Sequence, residues 1–168
     1  LAGAYMNIPV AHIAGGDRVV GNVDDQVRHA VTKLAHLHFV TNEESRERVL
    51  RLGEQEFRVH NTGNPGLDRL LAEPQLGAGE ISQRLGFEIR EDEPLLLVIQ
   101  HVQSSEIPAA YSQMRATMEA VRALGVKTVL SYPNSDAGGS ELRRAIREFE
   151  GLPFLYTAKT LPRPEFVN

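Results

Sequence analysis

Cysteine is absent from the 168 residues, aromatic side chains make up only 6% of them, and no apolar run approaches the length of a membrane span. Without thiols there is no disulfide framework, no thiolate metal site and no cysteine nucleophile, which fits a reducing, cytoplasmic setting. A transmembrane helix needs about 20 consecutive apolar residues, and the N-terminus lacks the charged-then-apolar segment of a signal peptide. No membrane association is expected. There is no basic excess either: the formal net charge is -4 with both signs interspersed, which removes the electrostatic footprint of a nucleic-acid binder. Any ligand phosphate would have to be met locally, by arginine, histidine or helix N-termini. What is present, 42% hydrophobic residues, is ordinary for an α/β protein.

The densest chemistry lies in residues 7–39, NIPVAHIAGGDRVVGNVDDQVRHAVTKLAHLHF. Residues 8–13 form a short apolar run that predicts a strand buried on both faces. Gly15 and Gly16 follow, where the backbone can turn or approach a ligand closely. Asp24 and Asp25 stand where a helix should begin, with Asp25 the expected N-cap, and Val27, Val31, Leu34 and Leu37 recur at helical spacing. In open α/β sheets, ligands bind outside the carboxyl ends of the strands, so Asp17, Asp24, Asp25, Arg28 and His29 form a candidate site. A plainer account covers the same residues: Asp25 caps, Asp17 is a solvated turn residue, and Arg28 and His29 occupy an exposed helix face.

Strands and helices alternate along the rest of the chain. The pattern predicts a strand at 38–41, a helix at 43–52, a strand at 57–60 and a turn at 63–66 leading into 67–71. Residues 72–93 are mixed in character and read as a linker. Beyond them come a strand at 95–99, a helix at 108–124, a strand at 126–131, a helix at 140–150 and a strand at 153–156. This is the rhythm of parallel β-α-β units. Each half supplies about three strands, fewer than the five or six of a doubly wound sheet. The expected organisation is therefore the back of one Rossmann-like domain (1–71), a hinge (72–93) and the front of another (94–168), within a longer protein. His101 follows an apolar strand, where an imidazole can bind phosphate or act as an acid, although a surface loop histidine fits as well. The run from Tyr132 to Gly139 suits a turn or a ligand. His12, His29, His36, His38 and His60 crowd the first half, but none sits in an HExxH pattern and no cysteine assists, so no metal site is expected.

The stretches His12-Ile13-Ala14-Gly15-Gly16-Asp17 and 23–39, with Gly63-Asn64-Pro65-Gly66-Leu67-Asp68, His101 and 132–139, resemble hydrolysing UDP-N-acetylglucosamine 2-epimerases of sialic and nonulosonic acid biosynthesis. The resemblance spans nearly the whole chain. It implies a GT-B-like α/β fold of two Rossmann-like halves with the active site in the cleft between them, no metal or other cofactor, a UDP-GlcNAc or related nucleotide sugar as ligand, and a homo-oligomer. The implied reaction eliminates UDP across C1 and C2 to give 2-acetamidoglucal, then adds water to give ManNAc. Such chemistry needs a carboxylate for the weakly acidic C2 proton, a cation or acid at the diphosphate, and exclusion of bulk water.

By the same resemblance Asp24 matches the catalytic acid, with Asp25 beside it as second candidate, and His101 matches the histidine near the diphosphate. Arg28 is expected to orient the carboxylates through a charge-assisted pair, and His29, Gly63, Asn134 and Asp136 to contact substrate. One departure stands out: some members carry Glu where this chain has Ala14, and Asp17 is the expected substitute. The family's first-strand arginine loop and its Gly-Ser-Ser nucleotide loop fall outside the 168 residues, so the segment alone is expected to be inactive. Arg144 and Arg147 align with inhibitor-binding arginines of animal relatives and read here as solvated. The alternatives are a non-hydrolysing epimerase that re-adds UDP, a hydrolysing enzyme for a UDP-2,4-diacetamido sugar, and an inactive protein that binds nucleotide sugars.

Overall fold

In the computed structural model, which describes residues 1–168, the chain divides into two units, Leu1–Ala72 and Glu73–Asn168, each built on a three-stranded parallel sheet. The first unit runs α1 (Ala2–Tyr5), β1 (Ala11–Ile13), α2 (Asp24–Leu34), β2 (Leu37–Val40), α3 (Glu43–Arg51), β3 (Val59–Asn61) and α4 (Pro65–Leu71), its strands side by side in chain order. Asn42 caps α3 by accepting from the Ser45 N–H, and Asn64 caps α4 by accepting from Gly66 N–H ahead of a helix that begins with Pro65. Both ends follow ordinary capping chemistry.

The expected first strand is shortened. β1 keeps only Ala11–Ile13, since Pro9 has no N–H to donate to a ladder. It is also not buried on both faces: β1 is an edge strand, and Ile8 and Ile13 are 48% and 58% exposed. Helix α2 stops at Leu34 instead of running on to Leu37, because the His36 and Leu37 N–H groups both turn to Val10 O and start β2. Val27 and Val31 consequently lie exposed, and Thr32 is the buried residue of the helix.

The second unit runs α5 (Ala78–Leu85), β4 (Leu95–Ile99), α6 (Ala110–Leu124), β5 (Lys127–Ser131), α7 (Gly139–Arg147), β6 (Leu155–Ala158) and α8 (Arg163–Val167). Ala110, Met114, Met118 and Val121 recur on one face of α6 and meet Leu130, Leu142, Ile146 and Phe149 in an apolar core. Residues 73–93, read as linker from sequence, fall in this unit. There Ile81 is buried, and the Ser82 hydroxyl joins Ala78 O to both backbone groups of Ile89. No helix is long and apolar enough to cross a membrane.

The first unit's interior is small and partly polar. Val40, Val49 and Val59 form the apolar cluster, beside the buried His38, Thr32 and Ser45. His38 pairs in register with His12 across the parallel strands, and its Nε2 lies 3.3 Å from Glu54 Oε2. Burial pushes the Glu54 carboxyl up, yet the hydrogen bond and charge of Lys33, 2.6 Å away, together with His38, hold it below its usual value. Thr32 Oγ1 lies 3.1 Å from both Arg28 O and His12 Nδ1. The Thr32 hydroxyl thus links the His12 ring to the α2 backbone.

Burial, then the neighbouring His38 and Arg28, lower the His12 pKa from its ordinary 6.5. The unfolded chain therefore takes up this proton at a higher pH than the folded chain does. Stability is lost as pH falls below about 6.5 and levels off beneath the lowered value. In urea titrations of the full-length protein between pH 7 and 5, His12→Gln is expected to flatten that loss; an unchanged slope would exclude His12 as its source. A second expectation concerns Gly16, which has φ +81°, and where a Cβ would lie 2.3 Å from Ser45 O. Left-handed strain plus backbone overlap predicts that Gly16→Ala destabilises by roughly 2–4 kcal/mol, read as a lower urea midpoint.

Candidate active site

Parallel register brings the chain out of each sheet at one edge. In the first unit Ile13, Phe39 and His60 are aligned, so the loops holding Ala14–Asp17, Thr41 and Gly63 leave from neighbouring strand ends. Ala14 takes a left-handed φ of +60°, unusual for a residue with a Cβ, and its N–H donates to Phe39 O at 2.9 Å. The next two residues are buried. A Cβ on Gly15 would come within 2.9 Å of His12 Nδ1.

Two guanidinium groups then seize successive carbonyls. Arg48 Nη1 donates to Gly16 O at 2.8 Å, and Arg28 Nη1 donates to Asp17 O at 2.7 Å. The expected pairing of Arg28 with the acids at the start of α2 is replaced by this backbone contact. The Asp17 side chain turns the other way, its Oδ1 accepting from Thr41 Oγ1 at 2.5 Å and Ser45 Oγ at 2.6 Å. Sequence reading missed Thr41, Ser45 and Arg48. Their signal was faint, because hydroxyls next to an N-cap asparagine already have a local explanation.

Asp24 occupies the first position of α2 and is exposed to solvent. Asp25 is not the N-cap: Val23 holds that position without a side-chain cap, and Asp25 Oδ1 instead accepts from Val19 N–H at 3.1 Å. That bond closes the loop onto the first turn of the helix. One turn later His29 places Nε2 3.8 Å from Asp25 Oδ2, while its buried Nδ1 has no partner. Asp25 and His29 line a shallow depression of about 330 Å³ together with Arg18, Arg48, Arg51 and Leu52. Gly63, φ +77°, lies just past β3 with open space where a side chain would stand.

In the second unit Ile99 is in register with Ser131, so His101 and Pro133 leave adjacent strands at the same edge. His101 is exposed. Asn134 and Asp136 are brought together: the Asn134 amide donates to Asp136 Oδ2 at 2.6 Å and accepts from Asp136 N–H at 3.2 Å. This turn delivers the chain to Gly138, the left-handed N-cap of α7. Nearby, burial and then the hydrogen bond to Glu150 push the Tyr132 phenol up to about 12. Arg144 is solvated in part, paired with Glu141 and stacked over Tyr111. No three His, Asp or Glu side chains gather as they would around a metal ion.

The described arrangement offers carboxylates and imidazoles at strand carboxyl ends, which suits proton transfer on a polar ligand. The chain is 37% identical over all 168 residues to UDP-N,N'-diacetylbacillosamine 2-epimerase (hydrolyzing) of Legionella pneumophila, covering 44% of that protein. It is 27% identical over 145 residues to GDP/UDP-N,N'-diacetylbacillosamine 2-epimerase (hydrolyzing) of Campylobacter jejuni, covering 86% of this chain and 37% of that one. The chain thus spans less than half the length of these relatives. Among solved structures, the UDP-GlcNAc 2-epimerase of Neisseria meningitidis bound to UDP-GlcNAc superposes with a TM-score of 0.80 at 18% identity, over 99% of this chain and 46% of that one. That likeness shows the fold, GT-B-like with two Rossmann-like halves. The profile of the UDP-N-acetylglucosamine 2-epimerases matches residues 1–168 from end to end, and the chain belongs to that family.

Proposed function

We propose that the full-length protein is a hydrolysing UDP-sugar 2-epimerase in which Asp24 transfers the proton at C2. The observation that carries the reading is the solvent-facing Asp24 carboxylate at the start of α2, in the helix that follows the loop whose carbonyls Arg28 and Arg48 hold. In the first step the C2 proton is removed and the C1–O bond breaks, its electron pair leaving with UDP to give a 2-acetamidoglucal. In the second, water adds a hydroxyl at C1 and a proton at C2 from the opposite face, releasing the free 2-epimeric sugar. A carboxylate in the first turn is supported by the helix N-terminus. His101 offsets charge on the departing diphosphate, and Asp25, Arg28, His29, Gly63, Asn134 and Asp136 shape the substrate site.

For substrate, the 37% identity to the Legionella enzyme over the whole chain supports a UDP-2,4-diacetamido sugar, while the Campylobacter diacetylbacillosamine enzyme and the Neisseria UDP-N-acetylglucosamine 2-epimerase stand equal at 27%. A second reading, binding without turnover, is favoured by Ala14, which leaves a methyl where some members carry an acid. Turnover assays with both UDP-sugars in D2O separate the readings. Hydrolysis yields one free UDP per free sugar, labelled at C2; a non-hydrolysing enzyme yields an epimeric UDP-sugar, and a silent protein yields heat of binding alone. Asp24→Asn is expected to lower turnover by about 10³-fold or more while UDP still binds by calorimetry. Undiminished turnover would remove Asp24 from the mechanism.

A further inference from the structure

We propose that Asp17 is a positioning residue: through one carboxylate oxygen it fastens the segment between β1 and α2 to the start of α3, and so sets where Asp24 stands. The proposal rests on the reading of Asp24 as the proton-transferring group.

The geometry around Asp17 points outward from the loop in every direction. Its Oδ1 takes both hydroxyls, Thr41 at 2.5 Å from the end of β2 and Ser45 at 2.6 Å from the first turn of α3. Ser45 is itself fixed, buried at 1% exposure with its N–H on the Asn42 cap. The Asp17 carbonyl takes Arg28 of α2, and the preceding carbonyl takes Arg48 of α3. Two residues thereby tie the loop to three elements. From Asp17 the chain needs only a short path to Asp24, and on that path Val19 N–H is held by Asp25. A displacement at Asp17 is therefore passed to the first turn of α2, where a shift of about 1 Å can cost on the order of 10²-fold in rate.

Oδ1 is filled by two hydroxyl donors, so any proton carried by Asp17 would have to sit on Oδ2. Asparagine distinguishes the two roles. Its Oδ1 can accept the same two hydroxyls with the same shape, although the bonds are weaker without the charge, and its amide cannot move a proton.

The test uses the full-length protein and whichever UDP-sugar the wild type turns over. Asp17→Asn should keep kcat within about fivefold with an unshifted pH profile, while Asp17→Ala should lose about 10²-fold in kcat with little change in KM. Hydrogen exchange at the amides of 14–25 should quicken in Asp17→Ala and not in Asp17→Asn. Ser45→Ala, which removes one donor and leaves the acid, should give an intermediate loss and serves if Asp17→Ala does not fold. Asp17→Asn as inactive as Asp17→Ala, with wild-type exchange, would make Asp17 a proton carrier and overturn the proposal. If the wild type turns over neither UDP-sugar, the epimerase reading fails by itself. The exchange comparison then still decides the latch, since equal protection in wild type and Asp17→Ala would overturn it.

Discussion

The hydroxyls of Thr41 and Ser45 can converge on Asp17 Oδ1 because the chain passes against the start of α3 at Gly16, so close that any side chain would strike the Ser45 carbonyl. This contact decides the course of the backbone from β1 into α2. Once it is made, Arg48 and Arg28 find the Gly16 and Asp17 carbonyls within reach, and otherwise orphaned backbone acceptors are satisfied. The two arginines are therefore part of the scaffold as much as of the site. With both guanidinium groups engaged on backbone carbonyls, the Asp24 carboxylate at the start of α2 stands exposed to solvent.

The two units are stabilised differently. The second has a conventional apolar interior, with methionines and branched side chains from α6 and α7 set against β5, and its stability comes mainly from area removed from water. The first buries only a small valine cluster beside the polar His38, Thr32 and Ser45. Lys33, Glu54 and His38 form a polar series, and Thr32 with His12 another. Buried polar groups are more costly than apolar packing when their contacts are broken, so the first unit rests on interactions that the second does not need.

Much of this was legible in the sequence. The apolar run 95–99 became β4 at those bounds, and the helix expected at 108–124 became α6 at Ala110–Leu124. Family membership was readable from residues 12–39 and from the short motifs that follow in order. Strands three residues long were harder to read: β1 and β3 carry too few side chains to show a period, and a short 3₁₀ turn (Glu56–Arg58) occupied the start of the expected third strand. The cap at Asp25 was misplaced because an acid near a helix start satisfies the pattern whichever N–H it accepts. Least legible was the Asp17 contact, whose partners lie 24 and 28 residues away. Only the parallel pairing of β1 with β2 brings them together.

Ala14 takes its left-handed turn where its own N–H is held by Phe39 O, directly after β1 and before the buried Gly15 and Gly16. The cost of that backbone shape falls on any L-residue placed there, whether it carries a methyl or a longer acidic arm. Exchange between such side chains leaves the surrounding architecture in place. A change of side chain at position 14 thus leaves the backbone demand of the turn as it was, because that demand is set by φ and not by what the Cβ carries.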